Sequence, residues 1–138
     1  MTLNPDVVRS RCADIEDAVT RLQRFGEMSL GQFQSNPDLA DAACYRLLVA
    51  IEAALGLCYH VSAKHLQRVP EQFADCFRTL GEAGVVTADL AERLRRMARF
   101  RNILVHLYAK VDLAQVHEIL ARDLGDLRAF ASAIALLV

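Results

Sequence analysis

Apolar side chains recur three and four positions apart along most of this chain, the spacing that draws one stripe down an α-helix. Val8, Cys12, Ile15, Val19 and Leu22 form the first stripe. It opens at Asn4-Pro5, an N-cap followed by a proline whose missing N–H costs nothing at the first helical position, and it fades near Gly26. Asn36-Pro37 repeats the start signal. From Asp38 to about Gln67 the pattern predicts a second helix bearing Cys44, Leu48, Ile51, Leu55, Cys58 and Ser62, with alanines between them. Such a helix is apolar on more than one side, packs centrally and stops before Pro70. A shorter helix is expected from Glu71 to about Leu80, ending in GEAGVV, whose glycines supply the positive φ of a helix–helix corner. Thr87 caps a fourth helix, with Asp89 in its first turn, taken to run to residue 109. Asp112, with Gln115 three residues on, reads as a capping box for a last helix reaching the C-terminus. No stretch alternates with the period of a strand, and no repeat or linker interrupts the pattern. The predicted architecture is an all-α bundle of about five helices with short connections, one domain over residues 1–138.

Composition adds one point. The apolar share of 54% exceeds the roughly 45–50% usual for globular chains, so a monomer carries more apolar surface than it hides and self-association is expected. The formal charge of −1 gives no overall pull toward nucleic acid or an anionic membrane. Cys12, Cys44, Cys58 and Cys76 form no C-x-x-C pair and sit at helical spacing among apolar residues, as reduced core cysteines do. The opening residues lack the apolar core and cleavage site of a signal peptide. The apolar segments Leu47 to Val61 and Ile134 to Val138 are short or interrupted by Glu52, so no membrane span is expected and the chain reads as cytoplasmic.

Charge is local instead. Arg93, Arg95, Arg96, Arg99 and Arg101 place five guanidiniums within nine residues, too many and too spread round a helix to be buried unpaired. One reading is a solvated face paired with acidic neighbours; the other is a phosphate-binding surface, since guanidinium forks match phosphate oxygens bidentately. RNILVHLY follows at Arg101 to Tyr108. With residues 90–109 on one helix and Arg101 at zero, Met97, Phe100, Ile103, Leu104 and Leu107 occupy an arc of about 200–320° that faces the core. Asn102 and His106 fall between about 40° and 140°, and Tyr108 returns to about 340°, near Arg101. Asn102 and His106 are an i,i+4 pair, close enough for the amide to fix the imidazole tautomer. His60 and His65, five residues apart, share no face and make a poor metal pair, and His117 reads as a surface or satisfied histidine.

FRNILVHLYAKVD resembles the R-x-x-x-x-H-x-Y signature of the HepT-like branch of the HEPN superfamily, with Arg101, His106 and Tyr108 at the motif positions and Asn102 at the polar position after the arginine. The similarity extends through PEQFADCFRTLGEAGVVTADLAERLRRMARF before it and VDLAQVHEIL after it. The resemblance implies a HEPN-like helical domain that pairs as a two-fold homodimer, and the toxin of a type VII toxin–antitoxin system. Its activity would be endoribonuclease cleavage of transfer or messenger RNA by 2′-hydroxyl attack, with no metal and no cofactor. Arg101, His106 and Asn102 are then the catalytic residues, and Arg95, Arg96 and Arg99 the expected RNA phosphate contacts. Tyr108 resembles the tyrosine to which a cognate minimal nucleotidyltransferase antitoxin transfers AMP, which would put charge and bulk beside Arg101. The alternative is a non-catalytic module that binds a nucleotide or the transferase. One departure stands out: Gly56 occupies a position of the second helix where an aspartate is expected, while His60 keeps the nearby histidine.

Overall fold

The computed structural model describes residues 2–138. Seven helices are found among them: α1 (Pro5–Glu27), α2 (Leu30–Gln34), α3 (Pro37–Lys64), α4 (Phe73–Glu82), α5 (Ala88–His106), α6 (Leu113–Arg122) and α7 (Leu124–Ala135), with one 3₁₀ turn at Tyr108–Lys110. Caps fix the long helices where the sequence puts them. Asn4 Oδ1 accepts from the Asp6 and Val7 amides at 3.0 and 3.3 Å, Asn36 Oδ1 from Leu39 N at 3.2 Å, and Thr87 Oγ1 from Leu90 N at 3.1 Å. The all-α class holds, while the count of about five helices rises to seven.

Both additions come from short-range chemistry. Ser29 and Gln32 form a reciprocal capping box that starts the five-residue α2, which buries Phe33 completely. The predicted last helix is two, broken at Asp123. Its start also differs: Asp112 Oδ1 accepts from Ala114 N at 2.9 Å, and no reciprocal bond from Gln115 completes a box. At the end of α3, Gln67 takes a positive φ of 57°, and the Arg68 amide returns to Ser62 O at 2.9 Å. The helix therefore closes by a left-handed residue before Pro70 is reached. Gly84, with φ of 77°, makes the expected corner between α4 and α5.

Helix α3 lies at the centre, touching α1, α2, α4, α5 and α7. Its length and hydropathy match those of a membrane span despite Glu52, but 56% of the relevant window is buried inside the domain. Those apolar residues are the bundle core. Leu47, Ile51 and Leu57 meet Ile15 and Leu22 of α1, Leu80 of α4, Leu94 of α5 and Leu127 and Ile134 of α7, all within one buried cluster. Phe77 and Phe130 cross edge to face at 5.4 Å, linking α4 to α7. Helix α1 approaches α6 at Gly26, where a Cβ would stand 2.2 Å from Leu120 O. All four cysteines are unpaired thiols, three of them buried, as their spacing predicts.

Candidate active site

The chemistry gathers along α5. Arg95, Arg99, Asn102 and His106 follow at intervals of four, three and four, which places them within about 60° of arc on one stripe of the helix. That stripe forms one wall of a cleft of about 670 Å³. Arg78 and Asp75 of α4, the preceding Glu71, and Tyr59 of α3 complete it. The opposite stripe of α5 is spent on the core, with Met97, Phe100 and Leu104 buried. Two residues of the predicted core arc depart from it: Ile103 is half-buried, and Leu107 is 51% exposed because the helix has already ended.

The arginine run divides between partners. Arg99 is exposed and opens to the cleft. Arg95 is 19% exposed, pairs with Glu92 at 2.6 Å, and its buried Nε makes no hydrogen bond among the described residues. Arg96 belongs to another face, where it lies 3.9 Å from Glu92 and lines a separate hollow with Arg93 and Asp123. Arg96 therefore does not share the wall of this cleft with Arg95 and Arg99, since 100° of rotation per residue carries it past the edge.

Arg101 is held from two sides. Its Nε pairs with Glu52 on α3, and its Nη1 donates to Asn102 Oδ1 at 3.1 Å. The Asn102 amide oxygen thus serves the guanidinium, where sequence spacing had assigned it to His106. Asn102 in turn lines the cleft, so it links Arg101 to the space beside His106. Glu52 is also the acid nearest to Gly56 along α3. The carboxylate stands one turn earlier, while Gly56 lies beneath the Arg11 side chain, 3.6 Å from a Cβ position to its Nε. The sequence carried a signal for Glu52: it is the one carboxylate in the apolar run Leu47–Val61, and a charge there needs a partner. Arg78 and Tyr59 leave no comparable trace, because only the packing of α4 and α3 against α5 brings them to the cleft.

Tyr108 lies beyond the end of α5 and takes a different partner from Arg101. The chain leaves α5 at Leu107, with φ −130° and ψ 37°, and the 3₁₀ turn is closed by Lys110 N to Leu107 O at 2.8 Å. The Tyr108 hydroxyl then donates to Asp41 near the start of α3. Asp41 and Glu52 are eleven residues apart on that helix, so the anchors of Tyr108 and Arg101 are separated by about 16 Å of axial rise. The Asp41 hydrogen bond, and then burial, raise the phenol well above its ordinary range. Cys44 lies in the same group; burial first, and Asp41 second, push its thiol up to about 11.

The other histidines are committed elsewhere. His60 Nε2 accepts from the Asn4 amide at 3.1 Å, and burial followed by Lys64 lowers its pKa. His65 is exposed at the end of α3. His117 meets Met28 O at 2.6 Å and stacks obliquely on Phe33, as a satisfied histidine does. No group of three His, Cys, Asp or Glu able to hold a metal occurs among the described residues.

An arginine-lined cleft with an imidazole at its end, on a bundle whose central helix braces the key guanidinium, defines a helical domain built to hold and act on a polyanion. Residues 15–134 match the ribonuclease HepT-like family, and the chain belongs to it; it is a ribonuclease of HEPN type. The chain is 27% identical over 130 residues to the mRNA nuclease HepT of Shewanella oneidensis, covering 94% of this chain and 96% of that one. Its fold superposes with a TM-score of 0.86 on a tri-AMPylated Shewanella oneidensis HEPN toxin in complex with MNT antitoxin, at 26% identity over 95% of this chain and 98% of that one. A cytosolic protein of unknown function, YutE from Bacillus subtilis, shares the fold at 18% identity, TM-score 0.81, covering 97% and 90% of the two chains.

Proposed function

We propose that this protein is the toxin of a two-component pair and cleaves RNA in the α4–α5 cleft without a metal. One observation carries the reading: Arg95, Arg99, Asn102 and His106 share a single wall of that cleft, with Arg101 hydrogen-bonded to Asn102 at its edge. RNA phosphates lie along Arg95 and Arg99, with Arg78 facing them from α4. At the scissile phosphate the ribose 2′-oxygen forms the new bond to phosphorus and the 5′-oxygen leaves, giving a 2′,3′-cyclic phosphate. His106 moves a proton in that exchange, and Arg101 with Asn102 stabilises charge on the phosphorane. Base and acid are both required, so a two-fold homodimer supplies a second His106 to the same RNA. Val105, Leu107 and Tyr45 are large apolar or aromatic side chains left exposed in or near the motif, and burying them on a second copy uses the apolar surplus of the sequence. The protein works in the cytoplasm, on messenger RNA by likeness to the HepT relative. A minimal nucleotidyltransferase antitoxin silences it by transferring AMP to Tyr108.

The test uses RNA in EDTA. The wild-type chain leaves cyclic phosphate ends, and His106→Ala and Arg101→Ala abolish them; cleavage undiminished in His106→Ala refutes the assignment. A second reading, binding without cleavage, is favoured by the Glu52 ion pair, which engages Arg101 from the α3 side. It predicts RNA retention with no cyclic ends.

A further inference from the structure

The phenol of Tyr108 is 47% exposed, yet it is oriented: its hydroxyl hydrogen is given to Asp41, a carboxylate on a different element and 67 positions away in sequence. Nothing in the cutting chemistry uses this contact. Asp41 lies on the first turns of α3, about 16 Å along that helix from the Glu52 that braces Arg101. A surface phenol has no structural need of a carboxylate partner, since water satisfies it equally well.

We propose that Asp41 is the general base for transfer of an adenylyl group to Tyr108, a role that rests on the reading of Tyr108 as the modified residue. The Tyr108 oxygen forms a bond to the α-phosphorus of an ATP held by the partner nucleotidyltransferase. The bond from that phosphorus to the bridging oxygen breaks, pyrophosphate leaves with the electron pair, and the phenolic proton passes to the Asp41 carboxylate and then to water. The same arrangement serves phosphoryl transfer in kinases, where an aspartate accepts the proton of the attacking hydroxyl. Two features of the surroundings fit. The phenol is held protonated by its neighbours, so it attacks only as its proton is removed, and the group in contact with that proton is Asp41. Cys44, the nearest alternative nucleophile, is buried, and its thiol is pushed up to about 11, which keeps it neutral and out of competition.

The experiment follows intact mass with time for the wild-type, D41N, D41E and Y108F chains, each given ATP and the minimal nucleotidyltransferase of its own gene neighbourhood. Asparagine keeps the hydrogen-bond acceptor and removes the basicity. D41N is expected to lower kcat for adenylyl transfer by about a hundredfold with KM for the chain unchanged, and D41E to recover part of the loss. Melting temperature and helical circular dichroism establish that each variant is folded. An undiminished or faster kcat in D41N overturns the proposal, as does an equal loss in D41N and D41E accompanied by a raised KM, the signature of a packing role. If the wild-type chain gains no adenylyl mass, or Y108F gains as much, the reading of Tyr108 itself falls and Asp41 with it.

Discussion

Arg101 is the residue on which most depends, and it is 15% exposed with Glu52 against one edge of its guanidinium. Removing that carboxylate leaves a largely desolvated charge short of a partner. Glu52→Ala is therefore expected to destabilise the fold by about 1–3 kcal/mol in urea unfolding, more than the 0–1 kcal/mol typical of surface pairs. A cost within that surface range shows the pair to be incidental. His60 supplies a pH dependence. Its folded pKa lies below that of the unfolded chain because burial, then Lys64, disfavour the charged ring, and only the neutral ring accepts from Asn4. The folded state binds fewer protons, so this stability is present above the unfolded pKa near 6.5 and is lost as pH falls through the lowered value. His60→Gln should flatten the decline of melting temperature below pH 6.5; an unaltered decline removes His60 as its source. At this scale the motif residues were legible in sequence, but their partners were not. Glu52 and Asp41 reach the motif through contacts 49 and 67 positions apart in sequence, and Arg78 joins the cleft from another helix, which no local spacing encodes.

Elements that announce themselves do so through caps. Asn4-Pro5, Asn36-Pro37 and Thr87 set the starts of α1, α3 and α5, because a side-chain acceptor at the N-cap satisfies orphan amides in any context. Ends were less legible. The stop of α5 at His106 owes nothing to a glycine or proline and coincides with the tertiary bond from Tyr108 to Asp41, so the helical pattern read on to residue 109. Helix α2 leaves little mark in the sequence because five residues carry too little periodicity, and only its Ser29 and Gln32 box signals it. Gly26 shows how closely two elements meet. Gly26→Ala places a methyl 2.2 Å from the backbone oxygen of Leu120, and α6 has to move. A loss of about 1–3 kcal/mol is expected in urea unfolding; a neutral substitution argues that α6 shifts freely.

The whole molecule is a nearly neutral protein whose cleft is lined by three arginines, so RNA binding should depend on salt through few contacts. If Arg78, Arg95 and Arg99 each neutralise a phosphate, log affinity for single-stranded RNA falls against log salt with a slope of about −2 per protomer. Arg99→Ala should reduce that slope by about 0.7, measured by filter retention over a salt series, while Arg96→Ala on the other face leaves it alone. A slope unmoved by Arg99→Ala takes the cleft out of the RNA path.

Because α3 is continuous from Pro37 to Lys64 and packed at the centre of the bundle, the interval between the tyrosine's anchor and the arginine's anchor behaves as a ruler with about three turns marked on it. An adenylyl group at one mark does not automatically cover the other. The degree of silencing should therefore grow with the length of what is attached, or with how it crowds a second copy, and a singly labelled chain offers the means to read that scale.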